Sequence, residues 1–193
     1  MTGVAAILLI VGAAVVLGAL VVLHLAPTGL NPLRDPVSQY GITRFKRGYA
    51  TAAWGATLGG IGGGLLITTV HGSPTVGAVL VWVFAVARFL IPFAPMDAPH
   101  QPRTSTGRLH NILAIVAFAT VTAGAFLGAG DLHDAGFEAI ATFSTVAAIV
   151  MAIGSAGSIL GFFTAFSRLP GVFERLIYLG FIAWFGVLGI AFV

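Results

Sequence analysis

The sequence has no cysteine and very few charged residues. Only 8% of its 193 residues are charged, whereas 58% are hydrophobic and the mean hydropathy is +1.04. A soluble domain carries about 25% charged residues, so the chain is predicted to be an integral membrane protein. Without cysteine there is no disulfide framework, thiolate metal site or thiol nucleophile. Lys46, the only lysine, lies in a predicted loop, which excludes a retinal Schiff base within a helix.

The fold class predicted from hydropathy is all-α, a polytopic membrane protein in which a single six-helix transmembrane bundle spans residues 1–193. A membrane-spanning helix needs about 20 mostly apolar residues, and six segments meet this requirement. They are approximately residues 4–25, 48–70, 75–94, 110–130, 137–166 and 175–193. The first segment is too long for the core of a signal peptide and is predicted to stay as an uncleaved helix.

Basic residues predict the orientation in the membrane. Loops 26–47, 95–109 and 167–174 are polar and basic, whereas the short loops 71–74 and 131–136 hold no lysine or arginine. The nine basic residues are Arg34, Arg44, Lys46, Arg47, Arg88, Arg103, Arg108, Arg168 and Arg175. The positive-inside rule places the basic loops in the cytoplasm and both termini outside. We therefore expect a multi-pass plasma membrane protein, and we attribute the net charge of +3 to membrane orientation rather than nucleic-acid binding.

Small residues at four-residue spacing predict close helix packing. The pairs are Gly55/Gly59, Gly59/Gly63, Gly60/Gly64, Gly124/Gly128 and Gly157/Gly161. We favour packing within one bundle over a dedicated dimer interface.

The first polar stretch runs from His24 to Tyr40. His24 falls in the last turn of the first helix, where a histidine commonly caps the helix end. Asp35 followed by Pro36 predicts a short helix, with Asp35 as the N-cap and Pro36 at the first helical position. On such a helix, Val37 and Tyr40 would be buried against the bundle.

The second polar stretch begins with Arg88 inside the third predicted helix. We expect Arg88 to snorkel to the membrane interface, with pairing to an inward-facing carboxylate as the alternative. Asp97 follows this helix and His110 opens the next one, which Ser105 or Thr106 is expected to cap. Helix counting places His24, Asp97 and His110 at the same membrane face, which predicts one shared site.

These polar blocks carry a resemblance to a known family. They are the helix ending at His24, N-P-L-R-D-P-V-S-Q-Y at 31–40, P-M-D at 95–97 and T-G-R-L-H at 106–110. In this order and spacing, the chain resembles a bacterial and archaeal membrane family catalogued as domain of unknown function 998. The resemblance implies a six-helix integral membrane protein and brings no established activity.

The first functional hypothesis is binding of lipid headgroups or a small anion at the basic face. Its candidate ligand-binding residues are Arg34, Asp35, Tyr40, Arg103 and Arg108. Cations near a membrane surface contribute about 1 kcal/mol each to binding anionic lipid. The expected partners are membrane lipids, and a membrane-protein partner or a second copy of the chain.

The second hypothesis is an intramembrane hydrolase acting on a lipid-like substrate, with His24, Ser38, Asp97 and His110 as candidate catalytic residues. His24, Asp97 and His110 would offer two imidazoles and a carboxylate to a divalent metal that activates water. Alternatively, Ser38 with a histidine and an aspartate would supply nucleophile, base and orienting group. Bis-histidine haem between His24 and His110 and a purely structural role are the remaining alternatives.

Overall fold

The structure, a computed structural model, describes residues 1–160 and 169–193. Its six α-helices, α1 to α6, run over Thr2–Leu25, Lys46–His71, Val76–Leu90, Ser105–Asp134, Glu138–Leu160 and Pro170–Ala191. Each is long and apolar enough to cross a membrane when the 3-10 helix Ile91–Phe93 is counted with α3. The predicted all-α six-helix fold is therefore confirmed. The part of the predicted fifth helix beyond Leu160 lies outside the described residues.

The six helices form a closed ring. Each helix packs against its neighbours in sequence, and α1 closes the ring against α6. Helix α2 also contacts α4 and α6, and a larger share of its span is buried than in any other helix. Helix α2 therefore lies nearest the interior of the bundle.

Glycines allow the close approach of these helices. A methyl group at Gly12 of α1 would overlap the backbone of Gly59 in α2, and one at Gly60 would press on α3. Helices in lipid associate mainly through such packing, because lipid chains are as apolar as the helix surfaces. These glycines thus pack helices of one chain together, as the sequence predicts. In the predicted Gly157/Gly161 pair, Gly161 lies outside the described residues.

Alternating helix directions bring the α1–α2 and α3–α4 connections to one end of the bundle, which we call the polar face. The last described residue of α5, Leu160, and the first residue of α6, Pro170, lie at the same end. Of the nine basic residues, Arg168 lies outside the described residues and the other eight lie at this end. The expected segregation of positive charge is confirmed for those eight.

The first connection contains a 3-10 helix at Val37–Ile42, which buries Val37 and Tyr40 as predicted. The predicted cap is wrong, because Pro36 rather than Asp35 occupies the N-cap position. The Asp35 carboxylate instead accepts the N–H of Asn31 at 2.6 Å, which closes the turn that precedes the helix.

Helices α4 and α6 both begin earlier than predicted. The N-cap of α4 is Thr104, whose hydroxyl accepts a backbone N–H at 3.0 Å, so the assignment to Ser105 or Thr106 is wrong. Helix α6 begins at Pro170 rather than 175, since proline fits the first helical position, where no N–H partner is needed. The predicted loop 167–174 is therefore largely helical over its described part.

Candidate functional site

A basic cleft of about 760 Å³ opens at the polar face. It lies between the 3-10 helix Val37–Ile42, the first turns of α2 and the end of α3. Exposed cations of the cleft are Arg44, Lys46 and Arg47. The buried side chains of Tyr49 and His110 also line it. The cleft thus combines an accessible positive rim with a buried polar base.

A second cleft of about 520 Å³ lies beside the first. Ser38, Met96 and His110 line both clefts, so the two are adjoining parts of one recess. The charged and titratable residues that line only the second cleft are Asp97, His100, Arg103 and Glu174. Both signs of charge are therefore present there, whereas the basic cleft carries only cations.

Arg88 is buried behind these clefts, with 1% of its surface exposed. Its guanidinium donates a hydrogen bond to the Tyr178 hydroxyl at 2.7 Å and lies 5.2 Å from the centre of that ring. Tyr49 and Glu174 also interact with Arg88 electrostatically. The prediction that Arg88 snorkels to the interface is wrong. The alternative, pairing with an inward-facing carboxylate, is met only by a longer-range interaction with Glu174, since the hydrogen bond of Arg88 goes to Tyr178.

Glu174 links α6 to the first connection. The side chain is 7% exposed, and its carboxylate accepts the N–H of Ser38 at 3.3 and 3.5 Å. This N–H belongs to the first turn of the 3-10 helix Val37–Ile42, where helix donors lack partners within the helix. Glu174 therefore both stabilises this short helix and lines the second cleft.

The hydrogen bonds of His110 determine its tautomer. Its Nδ1 lies 2.8 Å from the carbonyl oxygen of Ala94, which can only accept. The proton is therefore on Nδ1, and Nε2 carries a lone pair. His110 is 3% exposed and lines both clefts, so it offers a fixed acceptor at the base of the recess.

Three buried polar atoms near the clefts have no hydrogen-bond partner among the described residues. They are the Tyr49 hydroxyl, Arg88 Nε and His110 Nε2; the first two belong to side chains that interact with each other, so His110 Nε2 is the atom among the three that has no partner nearby. Leaving a buried donor or acceptor without a partner costs about 1–3 kcal/mol. Their proximity to one recess is the feature we would expect where a ligand supplies the missing partners.

Arg175 holds the outer wall of the site together. Its Nε donates to His24 Nε2 at 2.8 Å, and its Nη1 donates to the backbone carbonyl of Asp35 at 2.8 Å. A longer bond of 3.4 Å reaches the Tyr40 hydroxyl. His24 also bonds the carbonyl oxygen of Leu20 through Nδ1, so both of its ring nitrogens are engaged. Arg175 therefore connects the end of α1, the first connection and α6.

Asp97 anchors the connection that precedes α4. Its carboxylate accepts the Thr104 hydroxyl at 2.6 Å and the Thr104 N–H at 3.1 Å. Both bonds lower the pKa of the Asp97 carboxyl below its ordinary value, and the bond from the Thr104 hydroxyl has the larger effect. The side chain therefore has a structural role at the rim of the second cleft.

The structure brings together some of the predicted site residues and separates others. The residues that line a cleft are Ser38, Asp97, Arg103 and His110. Those that line neither are His24, Arg34, Asp35, Tyr40 and Arg108. All lie at the polar face as predicted. The expected metal set of His24, Asp97 and His110 is not brought together, and the described residues contain no group of three His, Asp or Glu side chains placed to hold a metal ion. His24, moreover, has no free nitrogen for a metal or a haem iron.

Sequence reasoning missed the contribution of α6. Glu174, Arg175 and Tyr178 all belong to the site, and Tyr49 of α2 was also overlooked. Two signals could have found them: Pro170 marks a helix start, and Glu174 and Tyr178 are four residues apart, hence on one helix face. A carboxylate and a tyrosine inside that face are natural partners for an intramembrane arginine.

Comparison with known proteins identifies one family. Residues 10–191 match the model of a family described as Protein of unknown function (DUF998). No curated protein and no solved structure matches the chain.

Proposed function

The protein belongs to this DUF998 family, and we propose that it binds the anionic headgroup of a membrane lipid, or a small anion of the same chemistry, in the basic cleft. The observation that carries the proposal is that three exposed cations share one cleft with two buried polar side chains, one of which, His110, has an unpartnered Nε2. Arg44, Lys46 and Arg47 supply the positive rim. Tyr49 and His110 supply the base.

Physical chemistry favours an anion with a hydrogen-bonding headgroup. Each cation near the membrane surface contributes about 1 kcal/mol to attraction of anionic lipid. At the base, the Tyr49 hydroxyl can donate, whereas His110 Nε2 can only accept while Nδ1 donates to Ala94. A phosphate oxygen would satisfy the hydroxyl, and a headgroup hydroxyl would satisfy the imidazole.

Binding experiments on purified protein test this proposal. We expect phosphatidylglycerol to bind in native mass spectrometry titrations, and phosphatidylcholine to bind much more weakly. Replacing Arg44, Lys46 and Arg47 together by glutamine removes about 3 kcal/mol of attraction, which corresponds to roughly 100-fold weaker binding. Arg34→Gln is the control, because Arg34 is exposed at the same face but lines neither cleft. Equal binding by the triple variant and the wild type would refute the proposal.

We also propose that the polar face lies in the cytoplasm of a prokaryotic cell, in the plasma membrane, with both termini on the other side. The segregation of basic residues supports this orientation. The C-terminus should lie outside the cytoplasm, so a reporter enzyme that works only outside the cytoplasm should be active when it is fused there. A C-terminal reporter that proves to be in the cytoplasm would reverse the orientation.

Serine-type hydrolysis is a second candidate function, favoured by the position of Ser38. Ser38 and His110 line both clefts, and His110 Nε2 carries the lone pair that a general base needs. The Ser38 Oγ would bond to the ester carbonyl carbon while its proton passes to Nε2, and the imidazolium would return that proton to the leaving alcohol as the ester C–O bond breaks. Water would then cleave the acyl-serine by the same proton transfers, which releases the fatty acid and restores Ser38. We expect Ser38→Ala to abolish turnover of the bound lipid and to leave its binding unchanged. If wild type and Ser38→Ala both leave the lipid intact, only the binding function remains.

A further inference from the structure

An apolar groove of about 380 Å³ runs along the outside of the bundle between α2 and α3. It is lined by Thr57, Ile61, Trp82, Ala85, Val86 and Phe89. Thr57 is the one polar side chain among them, and its hydroxyl bonds the backbone carbonyls of Ala53 and Ala85. The groove therefore presents a hydrocarbon-like surface.

Aromatic side chains connect this groove to the basic cleft. Trp54 and Phe93 line the cleft, with ring centres 6.4 Å apart. The Phe93 ring in turn lies 5.9 Å from that of Phe89, which lines the groove. On α2, Trp54, Thr57 and Ile61 follow one another along the same helix face. A continuous path thus leads from the cationic rim to apolar surface at membrane depth.

We propose that the ligand is an anionic phospholipid whose headgroup occupies the basic cleft and whose hydrocarbon chain lies in the α2–α3 groove. This inference rests on the proposed function and excludes a free anion as the preferred ligand. From Trp54 to Ile61 the track is about 10 Å long at 1.5 Å per residue. Such a track holds about the upper two thirds of one chain in a leaflet of about 15 Å.

A second apolar groove shows why continuity with charge matters. It lies between α4 and α5, has a volume of about 590 Å³, and is lined by residues such as Phe126 and Ile149. None of its lining residues belongs to the basic cleft. Lipid chains at this groove would lack a headgroup partner and exchange freely, so it provides an internal control.

Photo-crosslinking distinguishes the two grooves. The probe is phosphatidylglycerol with a diazirine in one chain, added to purified protein in detergent, and crosslinked peptides are located by mass spectrometry. We expect crosslinks in the α2 and α3 segments that line the groove, and excess unlabelled phosphatidylglycerol should abolish them by competition.

A tryptophan that fills the groove tests the same inference. Val86→Trp, at a position 59% exposed, should weaken phosphatidylglycerol binding about fivefold through lost van der Waals contacts. The matched control Ile149→Trp fills the other groove and should change neither result.

Other outcomes separate the inference from the function beneath it. If glycerol phosphate binds as tightly as phosphatidylglycerol, or if crosslinks spread over all six helices, the inference is overturned and anion binding remains. If the groove gives no lipid crosslinks, and a photoreactive amino acid placed at Val86 crosslinks to a second copy of the chain instead, the occupant is a helix and the inference is again overturned. If the triple glutamine variant binds phosphatidylglycerol as the wild type does, both proposals fail.

Discussion

Removing the buried arginine should destabilise the protein more than removing its hydrogen-bond partner. Tyr178→Phe deletes one hydrogen bond to a charged group, which contributes about 1.5–3 kcal/mol. Arg88→Met deletes the same bond and also removes one of the two cations that interact with Glu174, which is 7% exposed, so that only Arg175 remains. No direct ion pair joins Arg88 to Glu174 in the described part of the chain, so the added cost should stay below the cost of about 3–5 kcal/mol for breaking a buried ion pair.

The double variant tests whether Arg88 and Glu174 act together. In Arg88→Met/Glu174→Gln no charge is left uncompensated, so we expect it to be less destabilised than the sum of the single variants, by about 0.5–3 kcal/mol. The free energy of unfolding is measured for five proteins by titration with sodium dodecyl sulfate in mixed micelles: the wild type, Arg88→Met, Glu174→Gln, the double variant and Tyr178→Phe. Additive effects, or a cost for Arg88→Met below that for Tyr178→Phe, would show that Arg88 is not part of a buried charge network.

Three further predictions concern the scaffold. Gly12→Ala should destabilise the bundle by about 1–3 kcal/mol through overpacking against α2, as measured by unfolding titrations. Gly18→Ala on the same helix is the control and should not destabilise the bundle, because there is open space around Gly18. Thr104→Ala should cost about 1 kcal/mol through the lost cap of α4, while Thr106→Ala should change stability little; equal effects would contradict the cap assignment. The Asp97 carboxyl should titrate below its ordinary pKa of 3.8 when its carboxyl carbon is followed by NMR. Its contribution to stability is therefore present above pH 3.8 and is lost as the pH falls through the lower pKa of the folded state. A midpoint at or above 3.8 would contradict the hydrogen bonds to Thr104.

Hydropathy predicts the fold well because membrane solvation forces every spanning segment into a long apolar helix. All six helices were placed, and the basic residues correctly grouped the α1–α2 and α3–α4 connections at one face. Helix ends were less predictable. The start of α6 was misplaced because Glu174 and Arg175 look like loop residues until Pro170 is taken as the start of the helix.

The candidate site could be predicted only in part, because its composition depends on which helix faces meet. Sequence distance gives no sign that α6 packs against α1 and closes the ring, which brings Glu174 beside Ser38. Burial of Arg88 likewise depends on Tyr178, ninety positions away. Convergence of His24 and Asp97 at one face was predicted from helix counting, yet local hydrogen bonds engage both side chains elsewhere.

The central claim is that the basic cleft holds an anionic lipid. The most direct measurement is the mass and identity of lipid that remains bound when wild-type protein and the Arg44→Gln/Lys46→Gln/Arg47→Gln variant are extracted from the membrane and analysed by native mass spectrometry. We predict a tightly retained anionic phospholipid on the wild type that is absent from the variant. Retention of no lipid, or of the same neutral lipids by both proteins, would contradict the account.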